Sequence, residues 1–373
     1  MKKLTVKLLA GTHPLYQEMV AFPPKGIKYD VSVSSESTLK HYKFFGRFKR
    51  FAADTGLKFF NMPRVMLVST DADLIHSTRG LIILNKKPWV VDIEYARSFV
   101  GSRHGALLNP DMQRRIVKYL SSEYCRKIMP HCSAAVKSMH SIFGKKFDKK
   151  TEVVYPAIRK SKKYKKSKSN SLNIFFYGRD RFFLKGGKET LEAFTQLQKR
   201  YDVTLTMKAD VPAEYKEKYP NVNYEERMLP KEQFFEKIFS RADIFCFPTF
   251  MDTFGFVLLE AMSLGLPIVA TDIFAMREIV ENNKGGFTIK SPLTWHNEKY
   301  LFKWKSWDQY SQMARKDFPA FTNDLYKKLE QLIVDDKLRK KMGSFNKKLV
   351  ENGKFSIKER NKKLKRIYEE AAK

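Results

Sequence analysis

Asp243-Ile-Phe-Cys-Phe-Pro-Thr-Phe-Met-Asp-Thr-Phe-Gly-Phe-Val-Leu-Leu-Glu-Ala-Met-Ser-Leu-Gly-Leu-Pro-Ile-Val-Ala-Thr271 is the stretch whose reading decides the fold. The apolar run Ile244 to Phe247, stopped by Pro248, reads as a buried strand. A polar loop with Asp252, Thr253 and Gly255 follows, and Phe256 to Leu264 repeats at helical spacing. Gly265 stands where a helix C-cap belongs, and Leu266 to Ala270 is a second strand-like run. Strand, loop, helix and strand in this order form a βαβ unit, whose two strands are parallel. Asp252 and Glu260 thereby lie beside a helix N-terminus at the carboxyl end of a strand. Open α/β sheets bind their ligands there.

Outward from this unit, strands and helices alternate. In the second half they read Leu172 to Tyr177, Gly187 to Lys199, Val203 to Met207, Lys231 to Phe239, the opening unit, Ala275 to Glu281 and Phe287 to Ile289. In the first half, strand-like runs fall at Leu4 to Leu9, Tyr29 to Val33, Val65 to Val68, Leu74 to His76, Gly80 to Leu84 and Trp89 to Ile93. Helices are expected at Pro110 to Ser121 and Ala134 to Phe143, with a short stretch around Ile128 between them. This pattern, run twice, predicts two doubly wound α/β domains. The sharpest change of composition is the basic run 159–170, so the boundaries are set at 1–158, a linker 159–170, a second domain 171–356 and a last helix 357–373.

The 373 residues, 43% of them hydrophobic, suffice for two packed cores. Cys125, Cys132 and Cys246 are too scattered for a disulfide framework or zinc cluster, which suits reduced thiols in a cytoplasmic protein. No apolar run approaches the roughly 18 residues of a membrane span, and Met1-Lys2-Lys3 leads into a strand rather than a signal segment. A soluble or peripheral protein is expected.

The formal charge of +31 calls for anionic partners such as a membrane face or phosphorylated substrates, although a lysine-rich source gives the same excess. On the helix expected over Thr38 to Ala53, Phe44, Phe48 and Phe51 form one stripe beside Lys40, Lys43, Arg47 and Arg50. That pairing suits a helix lying on an anionic membrane, and equally one whose phenylalanines pack on the sheet. No helix-turn-helix or aromatic RNA-binding signature is present, so no specific nucleic-acid partner is expected.

Tyr177-Gly178-Arg179 closes a strand, and Lys185-Gly186-Gly187 opens the next helix. Gly178 and Gly186 allow close backbone approach, Arg179 can hold two phosphate oxygens, and Lys185 supplies a point charge. Together they suit a diphosphate, and the same pair reads equally as two solvated surface cations. An acid such as Glu260 repels phosphate but can accept both hydroxyls of a ribose, and Asp252 can take hydroxyls of a second sugar. Between them, the N–H groups of Phe254, Gly255, Phe256, Val257 and Leu258 are expected to face phosphate or sugar oxygens. Phosphate, ribose and another polyol make a nucleotide-sugar.

At these residues the sequence resembles the retaining glycosyltransferases of family 4, enzymes of the GT-B fold with two Rossmann-like domains facing across a cleft and a C-terminal helix returning to the first. Besides Gly178-Arg179, Lys185-Gly186 and Asp252-x7-Glu260, the Phe-Pro-Thr at 247–249, Glu-Ala-Met at 260–262 and Gly-Leu-Pro-Ile-Val-Ala at 265–270 match. The resemblance implies that Arg179 and Lys185 bind the donor diphosphate, Glu260 the ribose and the first acid, Asp252, the transferred sugar. It implies transfer of a hexose with retention to a glycan, glycolipid or lipid-linked hydroxyl, with no bound metal and no cofactor besides the nucleotide-sugar donor. The chain departs from the family at Asp252, shorter than the usual Glu by about 1.5 Å, and at Glu94, where the family often has His. Glu94 is expected to orient a hydroxyl, with Asp92 as its rival. Gly11, in the loop after the first strand, and His104 are candidate acceptor contacts, and Met228 lies in the loop expected to face the base. The rival readings are a non-catalytic nucleotide-sugar or glycan-binding protein on the same fold and a nucleic-acid binder.

Overall fold

The structure, a computed structural model, describes residues 3–11, 13–31, 61–101, 103, 105–162, 164 and 171–373. The stripes on residues 38–53 and much of the basic run 159–170 lie outside the described residues. The chain forms two compact units, one of residues 1–156, 298–302 and 358–373, the other of 157–297 and 303–357. The brief return at 298–302 has no counterpart in the sequence pattern; there Leu301 joins the first unit's core, and Ser141 donates to the Lys299 carbonyl.

The first unit's described strands are β1 (Leu4–Leu8), β2 (Ile27–Val31), β3 (Val65–Met66), β4 (Leu74–Ser77), β5 (Ile82–Ile83), β6 (Trp89–Ile93) and β7 (Cys125–Pro130). Five form a parallel sheet in the order β2-β1-β4-β6-β7, while β3 and β5 pair separately. Numbering the strands within the large sheet gives 2-1-3-4-5, the flavodoxin-like doubly wound order. The stretch around Ile128, expected only as a spacer between helices, is therefore an edge strand, β7. Its adjacent cations, Arg126 and Lys127, hid a run that pairs with β6 from Trp89 to Ile93. The helix Pro110–Ser121 appears where its spacing predicts. Asn109 caps it through Asp111 N–H at 2.8 Å, Pro110 opens it, and Met112, Ile116 and Leu120 bury one stripe.

Asp92, in the wholly buried β6, is the one charge in that strand. Tyr16 Oη donates to its Oδ1 at 3.0 Å and the Arg79 N–H at 2.8 Å. The rings of His131 and His76 stand 3.4 and 3.3 Å from its two oxygens. Burial pushes the Asp92 carboxyl up, but the two imidazoles outweigh it and hold the group well below the usual range. His76 Nδ1 in turn meets Tyr368 Oη at 2.6 Å, which lies 3.1 Å from Tyr29 Oη. Tyr368 belongs to the last helix, Ile357–Ala371, and Arg360 of the same helix donates to the Phe22 carbonyl at the end of the helix Pro14–Ala21. Two buried polar anchors thus hold the C-terminal helix in the first unit.

The second unit has β8 (Leu172–Arg179), β9 (Val203–Ala209), β10 (Asn223–Tyr224), β11 (Ile244–Phe247), β12 (Ile268–Thr271) and β13 (Gly286–Ile289), all parallel, in the order β10-β9-β8-β11-β12-β13. This is the 3-2-1-4-5-6 order of dinucleotide-binding folds. The chain leaves β8 to one side, and crosses back to β11 on the other. β11 and β12 are buried throughout, as unbroken apolar runs of a parallel sheet should be.

Glu189, in the first turn of the helix Gly187–Leu197, is fully buried and neither carboxyl oxygen has a hydrogen-bond partner in another residue. Burial raises its pKa from 4.5 to about 8. The folded chain therefore binds a proton that the unfolded chain releases above pH 4.5, and this group makes stability fall from there up to about pH 8. At pH 7 the penalty is about 3 kcal/mol. Glu189→Leu should raise stability at pH 7 by about 2–4 kcal/mol, with a smaller gain at pH 5 and no further growth above pH 8. Urea unfolding at pH 5, 7 and 9 checks this, and a gain independent of pH would contradict it.

Candidate functional site

The switch point of the second sheet lies between β8 and β11, which pair with Phe176 opposite Cys246. The two loops that leave their carboxyl ends carry the residues singled out above. β8 ends irregularly: its register against β9 shifts between Tyr177 and Arg179, leaving Gly178 in a bulge. A Cβ on Gly178 would meet Phe176 at 2.8 Å and Ala209 at 3.1 Å. Arg179 takes φ of 47°, a left-handed conformation that costs a non-glycine residue about 1–2 kcal/mol, and its side chain is exposed. An exposed cation in strained backbone at a switch point is aimed by the fold, not by local preference.

Gly186 is the N-cap of the helix Gly187–Leu197, with φ of 75°, and a Cβ there would stand 2.3 Å from the Pro248 carbonyl oxygen. This close passage brings the two loops together. Across it, Lys185 Nζ lies 2.7 Å from Asp252 Oδ2, donates to the Met251 carbonyl at 2.9 Å, and sits 5.0 Å from the Phe247 ring centre. Asp252 Oδ1 accepts the N–H groups of Thr253 and Gly255, each at 2.8 Å. Burial pushes the Asp252 carboxyl up, but Lys185 and these N–H groups prevail and hold it below its ordinary value.

Gly255 caps the helix Phe256–Ser263. The expected cradle of N–H groups from Phe254 to Leu258 is smaller than the sequence reading drew it. Gly255 N–H is bound by Asp252, and Leu258 N–H donates to the Gly255 carbonyl at 2.8 Å, closing the first turn. Phe256 and Val257 stand at the helix start. Glu260, one turn on, pairs with Lys231 at 3.3 Å. Burial raises the Tyr177 hydroxyl, with Arg179 pulling it down and Glu260 pushing it up, so both charges act on the end of β8. Lys231, which opens the helix Lys231–Lys237, is a site residue the sequence reading missed, because its partner is 29 positions away.

The loop before it is tied down by Arg227 on Glu225 and Lys216 on Glu226, and Met228 is held out at 88% exposure. Gly11 and Glu94 belong to the first unit. Gly11 follows β1 at that sheet's own switch point, and its nearest neighbour to an added Cβ is 3.9 Å away. Glu94 follows β6, 29% exposed, with Arg79 at 3.8 Å. Asp92, its rival, is corrected to a structural role, since its oxygens are surrounded by the buried network. His104 lies outside the described residues. Among the described residues no group of three or more His, Cys, Asp or Glu can hold a metal ion, and no helix is long and apolar enough to cross a membrane.

Residues 171–296 match the family model of glycosyl transferases group 1. A capsular polysaccharide biosynthesis glycosyltransferase, CapM, of Staphylococcus aureus is 29% identical over 118 residues, 32% of this chain and 23% of that protein. The curated relatives are matched over only 7%, 22% and 23% of their own length. Similarity to solved structures runs the whole length. Sucrose-phosphate synthase from Thermosynechococcus elongatus aligns with TM-score 0.64 at 13% identity, covering 98% of both chains. Anabaena Alr3699/HepE, in complex with UDP and glucose, aligns at 0.56 and 12% identity, covering 97% of this chain and 98% of that one. The chain has the GT-B fold. Its two Rossmann-like units are those described above, and the family match falls on the unit whose switch point carries Arg179, Lys185, Asp252 and Glu260.

Within this GT-B chain the Gly186 crossing is the tightest joint of the site. Gly186→Ala should lower stability by about 2–4 kcal/mol through overpacking and a left-handed Ala, whereas Gly11→Ala should stay within about 0.5 kcal/mol. Urea unfolding of the two variants compares them, and equal effects would refute the crossing's role.

Proposed function

We propose that the protein is a retaining glycosyltransferase that moves a sugar from a nucleoside diphosphate sugar to a hydroxyl acceptor. The observation that carries the reading is the grouping of Arg179, Lys185 and Glu260 around the switch point of a 3-2-1-4-5-6 sheet. The family match over the same residues and the UDP and glucose held by the HepE neighbour support it. Glu260 accepts the ribose hydroxyls, Arg179 and Lys185 bind the diphosphate, and Met228 offers its face to the base.

As the bond from the sugar's anomeric carbon to the phosphate oxygen breaks, negative charge grows on the diphosphate. Arg179, Lys185 and the start of the helix Phe256–Ser263 stabilise it there, charge placed before the reaction begins. The acceptor oxygen bonds to the same carbon and its proton passes to the departing phosphate oxygen, so the protein supplies no base. In the first unit, Glu94 and Gly11 contact the acceptor, a glycan or lipid-linked alcohol. No metal enters the scheme.

The net charge of +31 and two adjacent exposed side chains of the first unit, Met66 and Leu67, support an acceptor at the cytoplasmic face of an anionic membrane. Sedimentation with phosphatidylglycerol vesicles at low salt is the expected result; a protein left in the supernatant would count against it.

Glu260→Ala and Arg179→Ala should each reduce donor hydrolysis or transfer by about 100-fold or more with the unfolding temperature little changed. A thermal-shift screen of nucleoside diphosphates and their sugars finds the donor first. Wild-type turnover in both variants would sink the proposal.

A further inference from the structure

Asp252 stands where the resemblance places a longer acid in contact with the transferred sugar, yet its carboxylate is engaged by the protein itself. Resting on the donor-site reading above, we propose that Asp252 is a positioning residue: it holds the Lys185 ammonium against the diphosphate and folds the turn 252–255, leaving the sugar to other groups.

Three of the roughly four acceptor positions of a carboxylate are filled, two on Oδ1 by Thr253 and Gly255 N–H and one on Oδ2 by Lys185. A side chain of this length can turn back on the N–H of the next residue and the third residue on, in the manner of an Asx turn. A glutamate, reaching about 1.5 Å further, would carry its oxygens past those donors and out of the turn. The shorter acid is thus what the closed turn requires.

Lys185 is only 16% exposed, held between Asp252, the Met251 carbonyl and the Phe247 ring. Two of its three N–H donors are taken, and the third remains for a phosphate oxygen. A lysine on a four-carbon stem otherwise samples many rotamers. The carboxylate converts it into a fixed point charge, and the same contact spans the two loops that Gly186 and Pro248 bring together.

A double-mutant cycle in the full chain tests this, with Asp252→Asn, Lys185→Gln and the pair, assayed for turnover of UDP-glucose and GDP-mannose. Acting through Lys185, Asp252→Asn should lower turnover by about 30-fold or more in the wild-type chain but by less than about 2-fold in the Lys185→Gln background. Equal losses in both backgrounds would mean that Asp252 acts directly on the donor, and would overturn the proposal. A second arm needs no turnover. Lys185 acetylation by acetic anhydride, read by mass spectrometry of the folded chain, should rise several-fold in Asp252→Asn, while acetylation of the exposed Lys341 stays constant. An unchanged Lys185 rate overturns the proposal. If the thermal-shift screen finds no nucleoside diphosphate or sugar nucleotide bound by the wild-type chain while Lys185 is released in the variant, the functional reading fails and only the hold of Asp252 on Lys185 stands.

Discussion

The order reversal at β8 is the constraint on which the rest of the second unit depends. Crossovers between parallel strands are right-handed, so a chain that winds to one side of β8 and later returns to the other must send its connections to opposite faces. The loops after β8 and β11 then part, and their carboxyl ends leave a crevice that nothing in the sheet fills. Hydrogen bonding between these neighbours fixes where the loops begin, since Phe176 lies opposite Cys246. The departures from ordinary backbone follow from that start. Gly178 bulges, Arg179 is forced to positive φ, and Gly186 passes against the Pro248 carbonyl. Strain of this kind persists only where surrounding contacts over-determine it. Here those contacts are the Lys185 bonds to Met251 and Asp252.

Electrostatics settle how acids share the ends of this sheet with cations. Each acid is matched with a lysine, Asp252 with Lys185 and Glu260 with Lys231. The pairing with Lys185 is buried enough to count, because two charges withdrawn from water require both the partner and the accompanying N–H donors. Lys231 is more exposed, so its attraction to Glu260 is weaker and more easily exchanged for a ligand's hydroxyls. The two pairs therefore differ in kind. One is a fixed joint between loops, and the other is an exchangeable pair at their edge.

The sequence made the second unit legible because its information is local. A βαβ unit announces itself through apolar runs, a Pro stop, a polar loop and a capping glycine, all within the stretch from Asp243 to Thr271. The helix Gly187–Leu197 and the strands on either side read the same way. What stayed hidden depends on partners far along the chain. β7 carries two adjacent cations and only reads as a strand once β6 is beside it. Lys231 gains meaning from Glu260, and the excursion at 298–302 from a core hundreds of residues upstream. Glu189 sits among good helix formers and gives no sign that its carboxyl is buried without a partner.

Asp92 and Glu94 carry the same lesson at closer range. The sequence offers both as acids at one strand end, two positions apart, and spacing cannot choose between them. The choice is made by what surrounds each carboxylate. Asp92 meets Tyr16, Arg79, His76 and His131, drawn from three other segments, and through His76 it is linked to Tyr368, 292 residues beyond that histidine. An acid so surrounded has little left to offer a ligand and acts as the keystone of the buried network. Glu94, past the end of the sheet, retains access to water. The criterion that removes Asp92 from the list of ligand contacts is the one that reassigns Asp252. Where the lone pairs of a carboxylate are already taken by the protein, its work is to hold other groups in place.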